Sequence, residues 1–174
     1  MAKKAEARTH AFEVGQSVVY PAHGVGKITG IESQTVAGMQ LEVYVVAFDQ
    51  DKMILRVPTN RAEASGMRAL AGSKLVDDAL KTLGGKARIK RTMWSRRAQE
   101  YEAKINSGDL ISIAEVVRDL HRGDDQPEQS YSERQLYESA LDRMARELAA
   151  VENIDKGKAM EKLAKSLAKK KVAA

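Results

Sequence analysis

The apolar residues of this chain change their spacing once, near residue 73, and that change limits the folds open to it. Up to that point they come in short β-branched runs with turn residues between them. Ser17 to Tyr20 is one run, followed by a Pro21-Ala22-His23-Gly24 turn. Gly24 to Ser33 carries Val25, Ile28 and Ile31 among three glycines, which predicts a strongly bent strand. Ala37-Gly38 marks a second turn. Leu41 to Phe48 and Met53 to Val57 flank a polar hairpin loop, Asp49 to Lys52. Several short strands this close together predict a small, highly curved barrel.

Beyond residue 73 the spacing becomes 3.6. Leu75, Ala79 and Leu83 form one stripe, ended by Gly84-Gly85. Asp109 is placed as an N-cap for a helix bearing Leu110, Ile113, Ala114, Val117 and Leu120 on one face. Gly123 to Pro127 breaks the pattern. Ser132 with Gln135 then reads as a capping box, with Tyr131 and Leu136 as its staple. The buried stripe of that helix is Leu136, Ala140, Leu141, Met144, Leu148 and Val151. A lysine-rich helix is expected over about 155–171. The expected class is α+β: a β unit over 11–70 after a flexible leader, 1–10, and a helical bundle over 71–171 with a tail, 172–174. Gly72 and its neighbours form the junction.

Composition removes several functions. The chain has no cysteine, so disulfides and thiolate metal sites are excluded. The histidines His10, His23 and His121 are far apart and lack ligand spacing. His23, in its turn, reads as a structural residue. No run of about twenty apolar residues spans a membrane, and the N-terminus lacks the apolar core of a secretory signal. A metal-dependent hydrolase would need clustered carboxylates, yet Asp49 and Asp51 have no third ligand in view. No GxxxxGK[ST] phosphate loop occurs. The expectation is a protein that is not an enzyme and binds no cofactor.

Charge is informative by its distribution. The net charge is +5, which suits a polyanionic partner. Residues 1–70 are nearly balanced, whereas 79–99 hold Lys81, Lys86, Arg88, Lys90, Arg91, Arg96 and Arg97 without one acid. Such a run suits phosphate contact. The lysines of 156–171 read as a solubilising surface. The single tryptophan, Trp94, lies inside the acid-free run and admits two readings. With Ala98, Tyr101 and Ile105 it falls on one helical face, which makes it core. With Ser95 capping a helix just after it, it stands half exposed among guanidinium groups, where an indole can stack on a base. Arg56 alternates with Leu55 and Val57 and so projects from the outer face of a strand.

Three segments in order carry a resemblance to the CarD/CdnL family of bacterial transcription regulators over about residues 12–153. They are Val14-Gly15-Gln16-Ser17-Val18-Val19-Tyr20-Pro21-Ala22-His23-Gly24-Val25-Gly26, Leu55-Arg56-Val57-Pro58 with Gly66-Met67-Arg68, and Trp94-Ser95-Arg96-Arg97 with Ser107-Gly108-Asp109 and Ala114 to Leu120. The first half also resembles the polymerase-interacting domain of the transcription-repair coupling factor. The resemblance implies a Tudor-like domain that binds the β subunit of RNA polymerase through Arg56, with Pro58 beside it and Gln34 where some relatives carry a second arginine. It also implies a helical domain at promoter DNA, on the minor-groove side of the upstream edge of the transcription bubble. There Trp94 would wedge and stabilise the open complex, and Arg88, Lys90, Arg91, Arg96 and Arg97 would hold phosphates without reading sequence. The protein so implied is a monomer in the cytoplasm, held at the nucleoid through polymerase. A basic architectural DNA-binding protein acting without polymerase is the alternative. The terminal Ala173 and Ala174 resemble tags read by AAA+ proteases.

Overall fold

The computed structural model describes residues 10–49, 51–123 and 126–168. The leader before His10, Asp124 and Asp125 of the expected helix breaker, and the tail from 169 with Ala173 and Ala174 lie outside them.

Among the described residues five antiparallel strands come first: β1 (Ser17–Tyr20), β2 (Gly24–Val36), β3 (Met39–Phe48), β4 (Met53–Pro58) and β5 (Arg68–Ala69). They form one sheet in the order β4-β3-β2-β1-β5. This is the Tudor-like β unit anticipated for the first half. The β1–β2 turn needs left-handed backbone at Ala22 and Gly24, and the β2–β3 turn needs it at Ala37 and Gly38. That explains the glycine at the end of each turn. β2 bends where expected: its register against β3 shifts between Ile28 and Gly30, and an extra residue there sharpens the twist. Gly26 also lets the sheet close over its core. A Cβ at that position would lie 2.7 Å from the side chains of Phe48 and Val46. Phe12, Val18, Ile28, Tyr44, Val46, Phe48, Val57, Ala62 and Met67 fill the concave side.

Five helices follow among the described residues: α1 (Ser73–Leu83), α2 (Trp94–Asn106), α3 (Leu110–Leu120), α4 (Tyr131–Glu152) and α5 (Lys156–Ala168). The α3 face expected from its spacing is buried in full, and Asp109 caps it by accepting the Ser112 N–H. Leu83, Tyr101, Ile105, Val117, Leu120, Ala140, Met144, Leu148 and Leu163 belong to one helical core.

Two local expectations fail. α4 begins at Tyr131, with Ser130 as the cap accepting the Glu133 N–H; Ser132 and Gln135 lie inside the helix. Both Ser-x-x-Glu/Gln pairs fit a capping box, and the one with an acid, Glu133, at its third helical position is used. Tyr131 is exposed, so it makes no staple, and its hydroxyl accepts from Gln135 instead. Likewise Ser95 caps nothing. α2 starts at Trp94 itself, with Met93 in the cap position and no side-chain cap.

The sheet and the bundle meet through turns. Gly108, in left-handed backbone between α2 and α3, abuts Pro21 of the β1–β2 turn. Arg143 of α4 donates to the Ala22 carbonyl at 2.5 Å and to the Ile105 carbonyl at 3.2 Å. Burial of that guanidinium beside Arg146 lowers its pKa, against the opposing pull of Asp142 and Asp51.

Candidate functional site

Gly84 and Gly85 stop α1, and the chain from 86 to 93 runs without regular structure to the start of α2. One buried group holds this segment. Asp119, buried on the side of α3 away from its apolar stripe, accepts the Arg88 backbone N–H at 3.0 Å and the Arg118 Nε–H at 2.9 Å. The backbone is thereby fixed while the basic side chains stay outside: Lys86, Arg88, Lys90, Arg91 and Arg96 are all exposed. Lys90 makes a loose ion pair with Glu100 at 3.4 Å, an acid just past the acid-free run. An exposed pair of this length is worth at most about 1 kcal/mol, so Lys90 stays available to another anion.

Trp94 stands where both sequence readings overlap. Tyr101 and Ile105, on the same face of α2, are buried in the helical core. Trp94, two and three turns before them, is half-buried and packs against the rim of that core. Its ring meets Tyr101 at 6.3 Å between centroids. The Arg97 guanidinium lies 5.3 Å from the indole centroid and 5.9 Å from that of Tyr101. Cation–π contact with two rings holds the arginine and the indole together. The core side of the indole is thus supported and part of it stays open.

Sequence reasoning missed the neighbours of Trp94. Met93 is 77% exposed and Ile89 45%, so an apolar tip sits in the basic segment. Their exposure follows from the lack of helix over 86–93, where no periodicity could assign them a face. Asp119 was equally hidden, because it lies on the side of α3 opposite the apolar stripe that the spacing marks.

The second candidate surface is the outer face of the sheet. Cross-strand register aligns Gly30, Val45 and Arg56, then Glu32, Val43 and Pro58, and pairs Gln34 with Leu41. Paired residues share a face, as do alternate ones along a strand. Arg56, Pro58 and Gln34 therefore lie on one face, with exposed Ile54 beside them and Val43 and Val45 buried as its floor. Arg56 is half exposed, and its Nε is 3.5 Å from Glu32, a partner that sequence reasoning did not identify.

The histidines serve locally. His23 packs its ring on Tyr20 and Phe48, His10 meets Glu42, and His121 Nδ1 lies 2.9 Å from the Tyr137 hydroxyl. Among the described residues no group of three or more His, Asp or Glu is placed to hold a metal ion. None of their helices is long and apolar enough to cross a membrane.

Comparison with known proteins places both surfaces in matched regions. The model of the CarD-like/TRCF RID domain matches residues 12–71, and that of the CarD C-terminal domain matches residues 78–164. A relative described as "Putative transcription factor YdeB", of Bacillus subtilis (strain 168), is 26% identical over 143 residues, covering 82% of this chain and 94% of that protein. The solution NMR structure of the 72-residue N-terminal domain of Myxococcus xanthus CarD shares 31% identity, over 35% of this chain and 81% of that one, with a TM-score of 0.31.

Proposed function

Because this chain belongs to the CarD family, whose members are transcription factors, we propose that it binds RNA polymerase with residues 11–70 and promoter DNA with residues 71–171. On this reading the Arg56–Pro58–Gln34 face docks on the β subunit. Trp94 enters the upstream edge of the transcription bubble from the minor-groove side and slows its collapse. Arg88, Lys90, Arg91, Arg96 and Arg97 hold the flanking phosphates, which fixes position without reading sequence.

The observation that carries the reading is the state of Trp94. It is half open at a helix start, backed by Tyr101 and Arg97, and ringed by exposed cations. A large ring supported from behind resists being pushed back when bases try to restack. Apolar side chains inserted at a base step commonly act together with cations that hold the backbone.

Permanganate footprinting of a polymerase–promoter complex tests it. With the protein present, unpaired thymines at the upstream edge should stay reactive longer after a competitor is added. Identical decay with and without the protein would favour a DNA-binding protein that works apart from polymerase.

The phosphate contacts predict a salt effect. Direct DNA binding by the full chain should be weak and sequence-tolerant. Neutralising Arg96 and Arg97 together should flatten the slope of log affinity against log salt by up to about 2, near one per lost contact. An unaltered slope measured by fluorescence anisotropy would move the DNA surface elsewhere.

A further inference from the structure

Between the two candidate surfaces lies a buried ionic joint. Glu147 of α4 is 3% exposed, and its carboxylate faces the sheet. Arg68, on edge strand β5, donates Nη1–H to one of its oxygens at 2.9 Å and Nη2–H to the other at 2.7 Å. The same guanidinium donates twice to the Gly108 carbonyl, from Nε at 3.0 Å and from Nη2 at 2.7 Å. Glu147 also accepts the backbone N–H of Ala71 at 2.9 Å, inside the short connection between β5 and α1. One pair therefore ties the sheet edge, the connection, the α2–α3 turn and α4.

A pair like this is a poor device for stability alone. Desolvating two charges offsets most of their attraction, and apolar residues of similar size often serve as well. A bidentate arginine fork does specify geometry, because two parallel bonds fix distance and plane at once. Units joined by a short linker and a modest interface otherwise move relative to one another by default. Here even the linker is held, through Ala71.

We propose that Arg68 and Glu147 are positioning residues that make the sheet and the bundle one lever, so that a grip on polymerase at the Arg56 face fixes where Trp94 is presented to DNA. The inference rests on the division of labour proposed above. Neither residue touches polymerase or DNA in it; they set the angle between the two contacts.

The chain has no cysteine, so spin labels can be placed at will in the full-length protein. Labels at Glu63→Cys and Glu102→Cys, both exposed positions, report the sheet and the bundle. The variant to compare is Arg68→Ala with Glu147→Gln, which leaves no unpaired buried carboxylate. Pulsed dipolar spectroscopy should show one narrow distance distribution with the native pair and a broadened one without it. Polymerase affinity and helix content should stay unchanged. The open-complex lifetime should fall about three- to tenfold, part or most of what the loss of stacking itself would cost. Arg68→Lys keeps the charge but loses the fork. It is the milder variant should the double one lose helix content, and its distribution must broaden too. An unchanged distribution overturns the joint, and so does a broadened one with an unchanged lifetime. Trp94→Ala, run alongside, separates the two ideas. A normal lifetime there defeats the wedge, whereas an unbroadened distribution in the Arg68 and Glu147 variants defeats the lever whatever Trp94 does.

Discussion

Arg56→Glu is expected to weaken binding to RNA polymerase at least about thirtyfold while leaving the fold intact. The two parts of that expectation have separate causes. Among the described residues, Arg56 has only the loose contact with Glu32 at 3.5 Å, both side chains being about half exposed. Exposed ion pairs contribute roughly 0–1 kcal/mol, so removing this one barely changes stability. At an interface the same side chain counts for more. Losing one partner of a desolvated charge pair costs about 2–5 kcal/mol, and 1.4 kcal/mol is a factor of ten in affinity. Reversal adds a further penalty, because the new carboxylate would stand beside Glu32 and make a basic spot acidic. The surface around it, with Ile54 exposed and Val43 and Val45 beneath, suits an arginine anchor with an apolar surround. A folded variant, checked by its circular dichroism and melting temperature, that still binds polymerase with native affinity moves the docking surface off this face.

The sequence carried the elements of this structure better than its junction. Alternation along Met53 to Val57 put Arg56 outside because one inner face was buried. The 3.6 spacing of α3, opened by Asp109, named its core face correctly. Both are local patterns, written in residues that are near neighbours. β5 is two residues long, too short for any alternation to show. Its role depends on Arg68 reaching Glu147, 79 positions away. Glu147 did leave a trace. It follows Ala140 by seven positions and Met144 by three, so it lies on the buried stripe of α4, where a carboxylate needs a partner from elsewhere. Asp119 left none, since it lies opposite the apolar stripe of α3. A charge on an apolar stripe signals a tertiary bond, but the partner's identity is a property of the packed chain. The start of α4 was missed for another reason: Ser130 and Ser132 offered equivalent caps two residues apart. At Trp94 the periodicity and the surrounding charge pointed in opposite directions. Both were reading a real feature, since the residue sits at the rim where the core stripe meets the basic surface.

Trp94→Ala should leave polymerase binding nearly intact and shorten the lifetime of the open promoter complex about five- to thirtyfold. The Arg56 face and Trp94 lie on different elements, the first on β2 and β4, the second at the start of α2, so the two contacts are separable by mutation. An open bubble collapses when upstream bases re-pair and restack. An indole held at the first unpaired step occupies the space that restacking needs, and its stacking is worth about 1–2 kcal/mol of the barrier. Trp94→Phe should keep part of the effect, because a smaller ring still stacks. The rim position limits the structural cost. A fully buried aromatic cut to alanine costs about 3–5 kcal/mol, but Trp94 is half-buried and Tyr101 and Ile105 close the core behind it. Arg97 would lose one of its two ring partners and keep the other, Tyr101. The helical bundle should therefore stay folded, with a modest drop in melting temperature. Circular dichroism comes first, then the lifetime on a promoter challenged with competitor. A folded variant with a native lifetime defeats the wedge. A variant that loses its helices makes Trp94 a core residue, and the open-complex role then passes to the exposed Met93 and the cations beside it.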